Sequence, residues 1–552
     1  MKRRLSLLAV LTTSLAMAQT TVPAAGPTAT ISGVVRDKVA QQPLANFTVT
    51  TSASNPNRQV QSTTDAQGHY QLAGLPPGRY RIVARGSQRF FPQAVRFISV
   101  AGQDLDNIDI SVPVDATIGG KVIDENGEPV PGGWVFLVSR EYFLGAAGYF
   151  LAGVTRVDDQ GQYSFPNVSP DRAYLLLSAP RPTTIPAHSE VPLNPKFRRR
   201  VAMRTWYPNS PDRDGATPLL LRPGENREGT DIEVRKSPSY CVEGATIGPN
   251  GPASMHFQIE ALQPSSGLSN TGGMYTVAPN GMTGPDGKLR ICDLSPGQYR
   301  MEIQTSNVGS GQAPANFGVT NVVVKDEDQR NLKFLASPGL TLDGEVVWDT
   351  PPPDTAPSVK VSIQLRPTLR TGFPGAAEWN PAKADIPGAF SFPGLFPDDY
   401  AVWPTVRGAG LYIKEVTYSS RSVLHEPLRY GSAMLGSGLR VVVGRDGGKI
   451  ATQLADKDGH PIADAHVTLF PVDAETEGLL AAKMVTGQTD QLGQYTSETL
   501  PPGKYYVLAS DEEFDATLES IAKLWRSRTG LKQVDLAPNG SAQVNLELVK
   551  LM

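Results

Sequence analysis

Zinc peptidase chemistry needs two imidazoles and a carboxylate at fixed spacing, because that ligand set leaves one coordination position open for water. The six histidines, His69, His188, His256, His425, His460 and His466, include no His-x-x-Glu and no His-Glu-x-x-His. His460 and His466 lie close in sequence, but they flank a turn at Gly459-His460-Pro461, and no Cys or suitably placed His completes a site. Asp456-Lys457-Asp458-Gly459 opens like a calcium loop yet lacks its third acidic position and its distal Glu, so it reads as an ordinary turn. Neither a Gly-x-Ser-x-Gly nucleophile elbow nor a Gly-rich phosphate loop ending in Lys occurs. The sequence therefore assigns no catalytic residue, no metal and no cofactor.

Other reactive or sticky side chains are few. Cys241 and Cys292 are the only thiols. In an exported chain they meet an oxidising compartment, and pairing them closes a loop of about 50 residues and restricts the unfolded chain by about 4 kcal/mol. Six Trp residues, at 134, 206, 348, 379, 403 and 525, offer faces on which a sugar could stack. Trp134 and Trp403 fall inside strand patterns and Trp525 on an apolar helix face, so these three are expected in cores. Trp206 and Trp379 lie in loops and are the candidate glycan-stacking residues. Arg198-Arg199-Arg200, beside Phe197, reads as a solvated loop, since no wider basic stripe extends it.

The elements that would position these residues follow from a repeat. A Gly turn, an aromatic or Leu two residues on, a Pro-containing turn and a Tyr recur five times, with Gly-to-Tyr spacings of 12, 13, 12, 12 and 12. The copies run from Gly68 and Tyr70 to Tyr80, from Gly161 and Tyr163 to Tyr174, and from Gly287 and Leu289 to Tyr299. Two more run from Gly388 and Phe390 to Tyr400, and from Gly493 and Tyr495 to Tyr505. Tyr70 and Leu72 alternate with Gln71, and Tyr80, Ile82 and Ala84 alternate with arginines, which marks strands with one buried face. Pro-Pro-Gly between them ends one strand and launches the next. Tyr70, Tyr80, Tyr163, Tyr174, Tyr299, Phe390, Tyr400, Tyr495 and Tyr505 are accordingly the predicted structural core of the repeat. Each copy is preceded by an opening strand such as Ile31-Ser32-Gly33-Val34-Val35 and followed by an alternating closing strand such as Ile108-Asp109-Ile110-Ser111-Val112. About seven short strands per copy predict five β-sandwiches at 28–113, 114–235, 236–336, 337–445 and 446–552, the second enlarged by a Pro- and Arg-rich loop. One helix is predicted at 511–528, with a capping box from Ser510 to Glu513. Five sandwiches in a row predict an elongated monomer.

Composition agrees with this class. The 552 residues carry 53 Gly and 47 Pro, enough for many turns but short of low-complexity disorder. With 51 basic and 54 acidic residues the net charge is −3, which argues against a nucleic-acid partner. Met1-Lys2-Arg3-Arg4, an apolar run from Leu5 to Met17 and Ala16-Met17-Ala18 read as a signal peptide at 1–18. The run is shorter than a bilayer needs. The mature chain is expected to be exported, periplasmic or extracellular, with no membrane span.

Gly-Val-Val-x-Asp, Pro-Leu-Ala-Asn, Thr-Asp-x-x-Gly-x-Tyr and Leu-Pro-Pro-Gly-x-Tyr, read from the first copy, resemble the carboxypeptidase regulatory-like domain. The resemblance implies a seven-stranded Greek-key, transthyretin-like sandwich, related to B-type adhesin repeats and grouped with carbohydrate-binding-like folds. It is close in the first, second and fifth copies. In the third Gly284 replaces the turn Asp, and in the fourth Asp398-Asp399 replaces the Gly before Tyr400. That domain has no catalytic residues, so none is carried over. Some adhesin repeats hold Lys–Asn isopeptide bonds, and Lys121, Asn331 and Asn545 sit near first or last strands without an identifiable assisting acid. The expectation is an all-β, non-catalytic, adhesion-like or structural module whose partner is an envelope protein or polysaccharide. The alternatives are a carbohydrate-binding protein or an accessory subunit of a secreted hydrolase or carboxypeptidase.

Overall fold

Alternation of burial organises every unit of the chain. The computed structural model describes residues 28–551 apart from 54–58, 87–92, 180–182, 186–198, 262–267, 270–279, 306–315, 352–357, 369–380 and 432–437. The proposed signal segment and Trp379 therefore lie outside the described residues. In the first unit the strands are β1 (Ala29–Asp37), β2 (Thr48–Ala53), β3 (Gln61–Thr63), β4 (His69–Leu75), β5 (Gly78–Arg85), β6 (Gln93–Val100) and β7 (Ile110–Val112). They form two sheets, β4-β1-β7 and β3-β2-β5-β6. Ile31, Val35, Leu72, Ile82 and Ile98 fill the space between the sheets. Four further clusters repeat the arrangement, around Ile118 and Leu176, Val242 and Met301, Val361 and Val441, and Ile450 and Val507. The protein is thus an all-β array of five sandwiches.

One topological feature recurs in each. The closing strand pairs in parallel with the opening strand: β7 with β1, Ile232–Val234 with Ala116–Asp124, and Gln329–Leu335 with Tyr240–Gly248. Leu439–Gly444 pairs likewise with Leu340–Trp348, and Ser541–Leu546 with Lys449–Leu454. The strand after the Gly turn pairs antiparallel on the other side of the same opening strand. The meeting point is crowded. A Cβ on Gly33, Gly120, Gly244 or Gly344 would collide with a closing-segment carbonyl, that of Ile108, Thr230, Leu332 or Leu439 respectively. These glycines face Tyr70, Tyr163, Leu289 and Phe390 of the repeat. In the first two units the phenol reaches past the glycine and donates to the same carbonyl, Tyr70 to Ile108 at 2.6 Å and Tyr163 to Thr230. The fifth unit has Thr452 at this position, and the Tyr495 ring lies instead against Gly487.

The second aromatic of the repeat closes the Pro turn. Tyr80 donates to the carbonyl of Pro76 at 2.7 Å, Tyr174 to Ser169 at 2.9 Å and Tyr299 to Ser295 at 2.7 Å. Tyr400 donates to Phe396 at 2.9 Å and Tyr505 to Pro501 at 2.8 Å. The ring is buried and its hydroxyl satisfies a turn carbonyl that has no ladder partner, which is how a buried Tyr avoids a desolvation penalty. Burial pushes the Tyr174, Tyr495 and Tyr505 phenols up to about 12.

Two helices, rather than one, decorate the fifth unit: α1 (Glu477–Lys483) and α2 (Leu518–Ser527). The expected start at 511 moves to Leu518, because Thr517 is the N-cap and accepts from the Ser520 N–H at 3.3 Å. Ser510 instead accepts from the Glu512 N–H in a local turn. Thr476 caps α1 in the same way. Leu480, Ile521 and Leu524 pack with Phe470, Phe514 and Tyr506 on the outside of the sandwich. No helix among the described residues is long and apolar enough to cross a membrane.

The expected elongated string is closed on itself. The fifth unit touches the first, where Ser99 donates to Asp490 at 2.6 Å, Arg96 pairs with Asp464 at 2.9 Å and Arg79 stacks over Tyr495. It also touches the second, where Tyr142 donates to Glu477 at 2.7 Å and Arg172 pairs with Asp515 at 2.6 Å. The fourth joins it through Tyr412 and Asp446 at 3.0 Å. The second and third units exchange strands: Thr183–Ile185 pairs with Lys288–Leu294, and Leu268–Ser269 pairs with Ala146–Arg156. Strand periodicity carries no information about such seams, since they are made by turn tips and outward polar residues.

Tyr505→Ala should destabilise the fifth sandwich by about 3 to 5 kcal/mol through loss of the buried ring. Tyr505→Phe should cost about 1 to 2 kcal/mol by orphaning the Pro501 carbonyl. Hydrogen exchange of that unit measures both, and a Phe variant as stable as the parent would remove the hydroxyl's role. Small-angle scattering should report a closed particle whose maximum dimension grows when Arg96→Ala, Tyr142→Phe and Arg172→Ala are combined. An extended parent chain would refute the closure.

Candidate functional site

The acidic turns show first where the carboxylates go. Asp65 accepts from the backbone N–H groups of Gln67 and His69, Asp158 from Gln160 and Gln162, and Asp490 from Leu492 and Gln494. Asp124 and Asp456 do the same in the turn after the opening strand of their units. Gly68, Gly161 and Gly493 follow in the left-handed conformation that completes the turn. In the third unit Gly284 has no side chain to do this, and the loop closes by a backbone pair with Lys288 while Asp286 accepts from the Lys288 N–H.

Asp456, Asp458 and His460 are the residues that come closest to a metal cluster among the described residues, with their ligand atoms within 4.8 Å of one another. All three are exposed, and Asp456 already accepts two backbone N–H groups and lies 3.3 Å from His460 Nδ1. The arrangement is that of the other Asp turns. His466 does not join it; it is half buried, and desolvation lowers its pKa.

Cys241 and Cys292 form a disulfide, with Cα atoms 4.1 Å apart on adjacent antiparallel strands, Tyr240–Gly248 and Lys288–Leu294. Both are buried. Arg199 pairs with Asp293 of the third unit at 2.9 Å and Arg200 lies 3.7 Å from Glu125 of its own unit, so the described part of the basic run is ion-paired; Arg198 lies outside the described residues. Lys121, Asn331 and Asn545 are exposed and belong to three different sandwiches.

The tryptophans correct two expectations. Trp206 is not a loop residue open to sugars. It pairs with Leu177 at a sheet edge and is only 2% exposed, among Val138, Leu175 and Leu177. Trp403, expected in a core, is 45% exposed. The strand Asp398–Val406 turns Tyr400 and Val402 inward, and period two puts Trp403 on the outer face. The inward position of the repeat Tyr could have shown this from the sequence, because Trp403 is an odd number of residues from it.

A cleft of about 660 Å³ lies between the second and third units and is lined by Met203, Arg204, Asp212, Arg213, Ser295 and Gln298. Its cations are engaged. Arg204 donates to the Ala261 carbonyl at 3.0 Å, and Arg213 lies 4.0 Å over the Tyr149 ring. A second cleft, about 520 Å³, is walled mainly by backbone from Gly408 to Gly410, Gly447, Gly448 and Gly540 at the junction of the fourth and fifth units.

The turn carboxylates also set the acid response. The His69 N–H holds Asp65 below its usual pKa, the His460 N–H does so for Asp456, and Lys236 does so for Asp124. A carboxyl depressed in the fold adds stability above its unfolded pKa, near 4, and loses it as pH falls through the folded value. Stability should therefore decline below about pH 4. Carboxyl NMR titration should place Asp65 and Asp456 under the free-Asp value; ordinary values would show that the turns do not hold them.

Comparison with known proteins adds a family for part of the chain. Residues 30–113 match the carboxypeptidase regulatory-like domain. A 102-residue stretch is 35% identical to the TonB-dependent transporter Oar of Myxococcus xanthus, spanning 18% of this chain and 9% of that one. Among solved structures, the Bacillus anthracis TIE protein aligns over 80% of this chain and 74% of its own at 13% identity, with a TM-score of 0.16. The RrgB pilus protein of Streptococcus pneumoniae aligns over 95% and 98% at 8% identity and a TM-score of 0.16. BcpA, the major pilin subunit of Bacillus cereus, aligns over 94% and 99% at 9% identity and a TM-score of 0.13. The match to the carboxypeptidase regulatory-like domain thus falls on the first sandwich.

Proposed function

We propose that the chain is an exported, non-catalytic interaction module of the cell envelope, a monomer of five sandwich units divided at 28–113, 114–235, 236–336, 337–445 and 446–552. One observation carries this reading: the chemistry-bearing motifs are engaged in the fold. Repeat tyrosines donate to turn carbonyls, turn aspartates accept backbone N–H groups, and the two cysteines are bonded to each other. The disulfide supports an oxidising compartment. The basic and apolar residues 1–18 support export, and the similarity to a TonB-dependent transporter supports an envelope setting. Closure of the units on one another makes the module a platform rather than a tether. Its partner is an envelope protein or polysaccharide, with no nucleic acid and no cofactor involved. A carbohydrate-binding role is the second reading, favoured by the exposed Trp403.

Expression with the native N-terminus in a Gram-negative host, followed by osmotic-shock fractionation and intact mass, should find the chain outside the cytoplasm and shortened by residues 1–18. Peptide and glycoside substrate panels, with and without chelator, should show no turnover. Retention in the cytoplasm, or hydrolysis that a chelator abolishes, would sink the proposal.

A further inference from the structure

The outer face of one sheet in the fourth unit carries an exposed indole among cations. Its strands are ordered Ala382–Asp385, Lys360–Pro367, Asp398–Val406 and Leu428–Tyr430. Val361, Ile363, Leu365, Tyr400 and Val402 point into the sandwich core. By alternation, the opposite face carries Ser362, Gln364 and Arg366 on one central strand and Trp403 and Thr405 on the next. Gln364 stands directly across from Trp403. The Arg366 guanidinium lies 5.2 Å from the indole centroid and donates to Gln364 Oε1 at 3.2 Å, so the ring, the cation and the amide hold one another in place. Lys360, Lys383 and Arg429 are exposed on the same face. Its two acids are matched locally: Asp385 accepts from Ser358 Oγ at 2.9 Å, and Asp399 stands across from Arg429.

Outward positions of an antiparallel sheet are normally polar, and here the exposed indole stands among cations and hydrogen-bonding groups. A flat indole attracts the C–H face of a pyranose ring through its quadrupole. The amide of Gln364 and the hydroxyls of Ser362 and Thr405 can donate to and accept from sugar hydroxyls. Arginines match carboxylate and sulfate oxygens in paired hydrogen bonds, and the face carries four cations against two locally matched acids. We propose that this face, centred on Trp403 and Arg366, is a binding platform for an acidic polysaccharide bearing uronate or sulfate groups. The proposal rests on the reading of the chain as an envelope interaction module and names the class of its partner. Because the platform sits on paired strands, its groups are positioned before the ligand arrives, which lowers the entropic cost of binding.

Affinity electrophoresis and titration calorimetry with polygalacturonate, alginate and heparin test it, with dextran and duplex DNA as controls. The intact protein should bind at least one acidic polysaccharide, and should bind both controls more weakly. Trp403→Ala should weaken that binding about tenfold or more with an unchanged melting temperature, since the side chain is exposed. Trp403→Phe should retain most of it, and Arg366→Gln should weaken it and flatten its salt dependence. Absence of binding, equal binding to dextran or DNA, or full affinity in Trp403→Ala would overturn the platform. None of these outcomes bears on fractionation or on turnover of hydrolase substrates, so the broader reading stands or falls separately.

Discussion

The parallel pairing of the first and last strands of each sandwich is the interaction on which the rest of the molecule depends. An opening strand such as β1 lies between β4, its neighbour after one turn motif, and β7, which arrives at the end of the unit. Where β7 approaches, the backbone leaves no room for a side chain, so Gly33 is required. Its counterparts Gly120, Gly244 and Gly344 meet the same demand. The facing aromatic then covers the glycine and, in two units, binds the carbonyl that excludes a side chain. Residues 75 apart in the first unit and 110 apart in the second thereby form one hydrogen-bonded strip, and a sandwich lacking its opening strand loses the middle of a sheet. Parallel pairs give somewhat less stability per residue than antiparallel ones. The aromatic and glycine pairing reinforces the ladder at that point.

The fold was legible because three signals coincide in each repeat: a Gly turn, left-handed in every copy but the fourth, alternation of apolar residues and a Pro turn before Tyr. Tyr80 and Tyr505 lie in strands because neighbours two apart share their character, and a script of period two needs no knowledge of the partner strand. What was not legible has a common cause. Trp206 sits in a stretch rich in Pro and Arg, and only its pairing with Leu177 buries it. The helix start depended on whether Ser510 or Thr517 captured a backbone N–H, and both have the right chemistry. Trp403 is the instructive case, since its outward aim follows from Tyr400 by counting, whereas its apolar character suggested the reverse.

The same residue types serve different ends according to where they stand. Asp is a backbone acceptor at position 65, a seam partner for Arg96 at 464, and both at 490, where one oxygen closes the turn and the other receives Ser99. The motif that shapes the fifth sandwich thus also fastens the first sandwich to it. Arg shows a parallel range, pairing with Asp515 at 172, resting on an indole at 366, and covering Tyr149 at 213. Composition alone, with near-equal acids and bases, conceals this division between seams and open faces.

The strand exchange between the second and third sandwiches bears on the order in which the chain can mature. A polypeptide that emerges N-terminus first can finish the first sandwich once β7 has appeared, before any of the second is needed. The second has no such independence, because one edge of its sheet waits for Leu268–Ser269, while its own Thr183–Ile185 stays unmatched until Lys288–Leu294 arrives. These exposed edges are the kind of surface that pairs with foreign strands if left open. The two sandwiches are therefore interdependent, and the Cys241–Cys292 bond, which joins the strand that receives Thr183–Ile185 to its neighbour, fastens the edge at which they interlock.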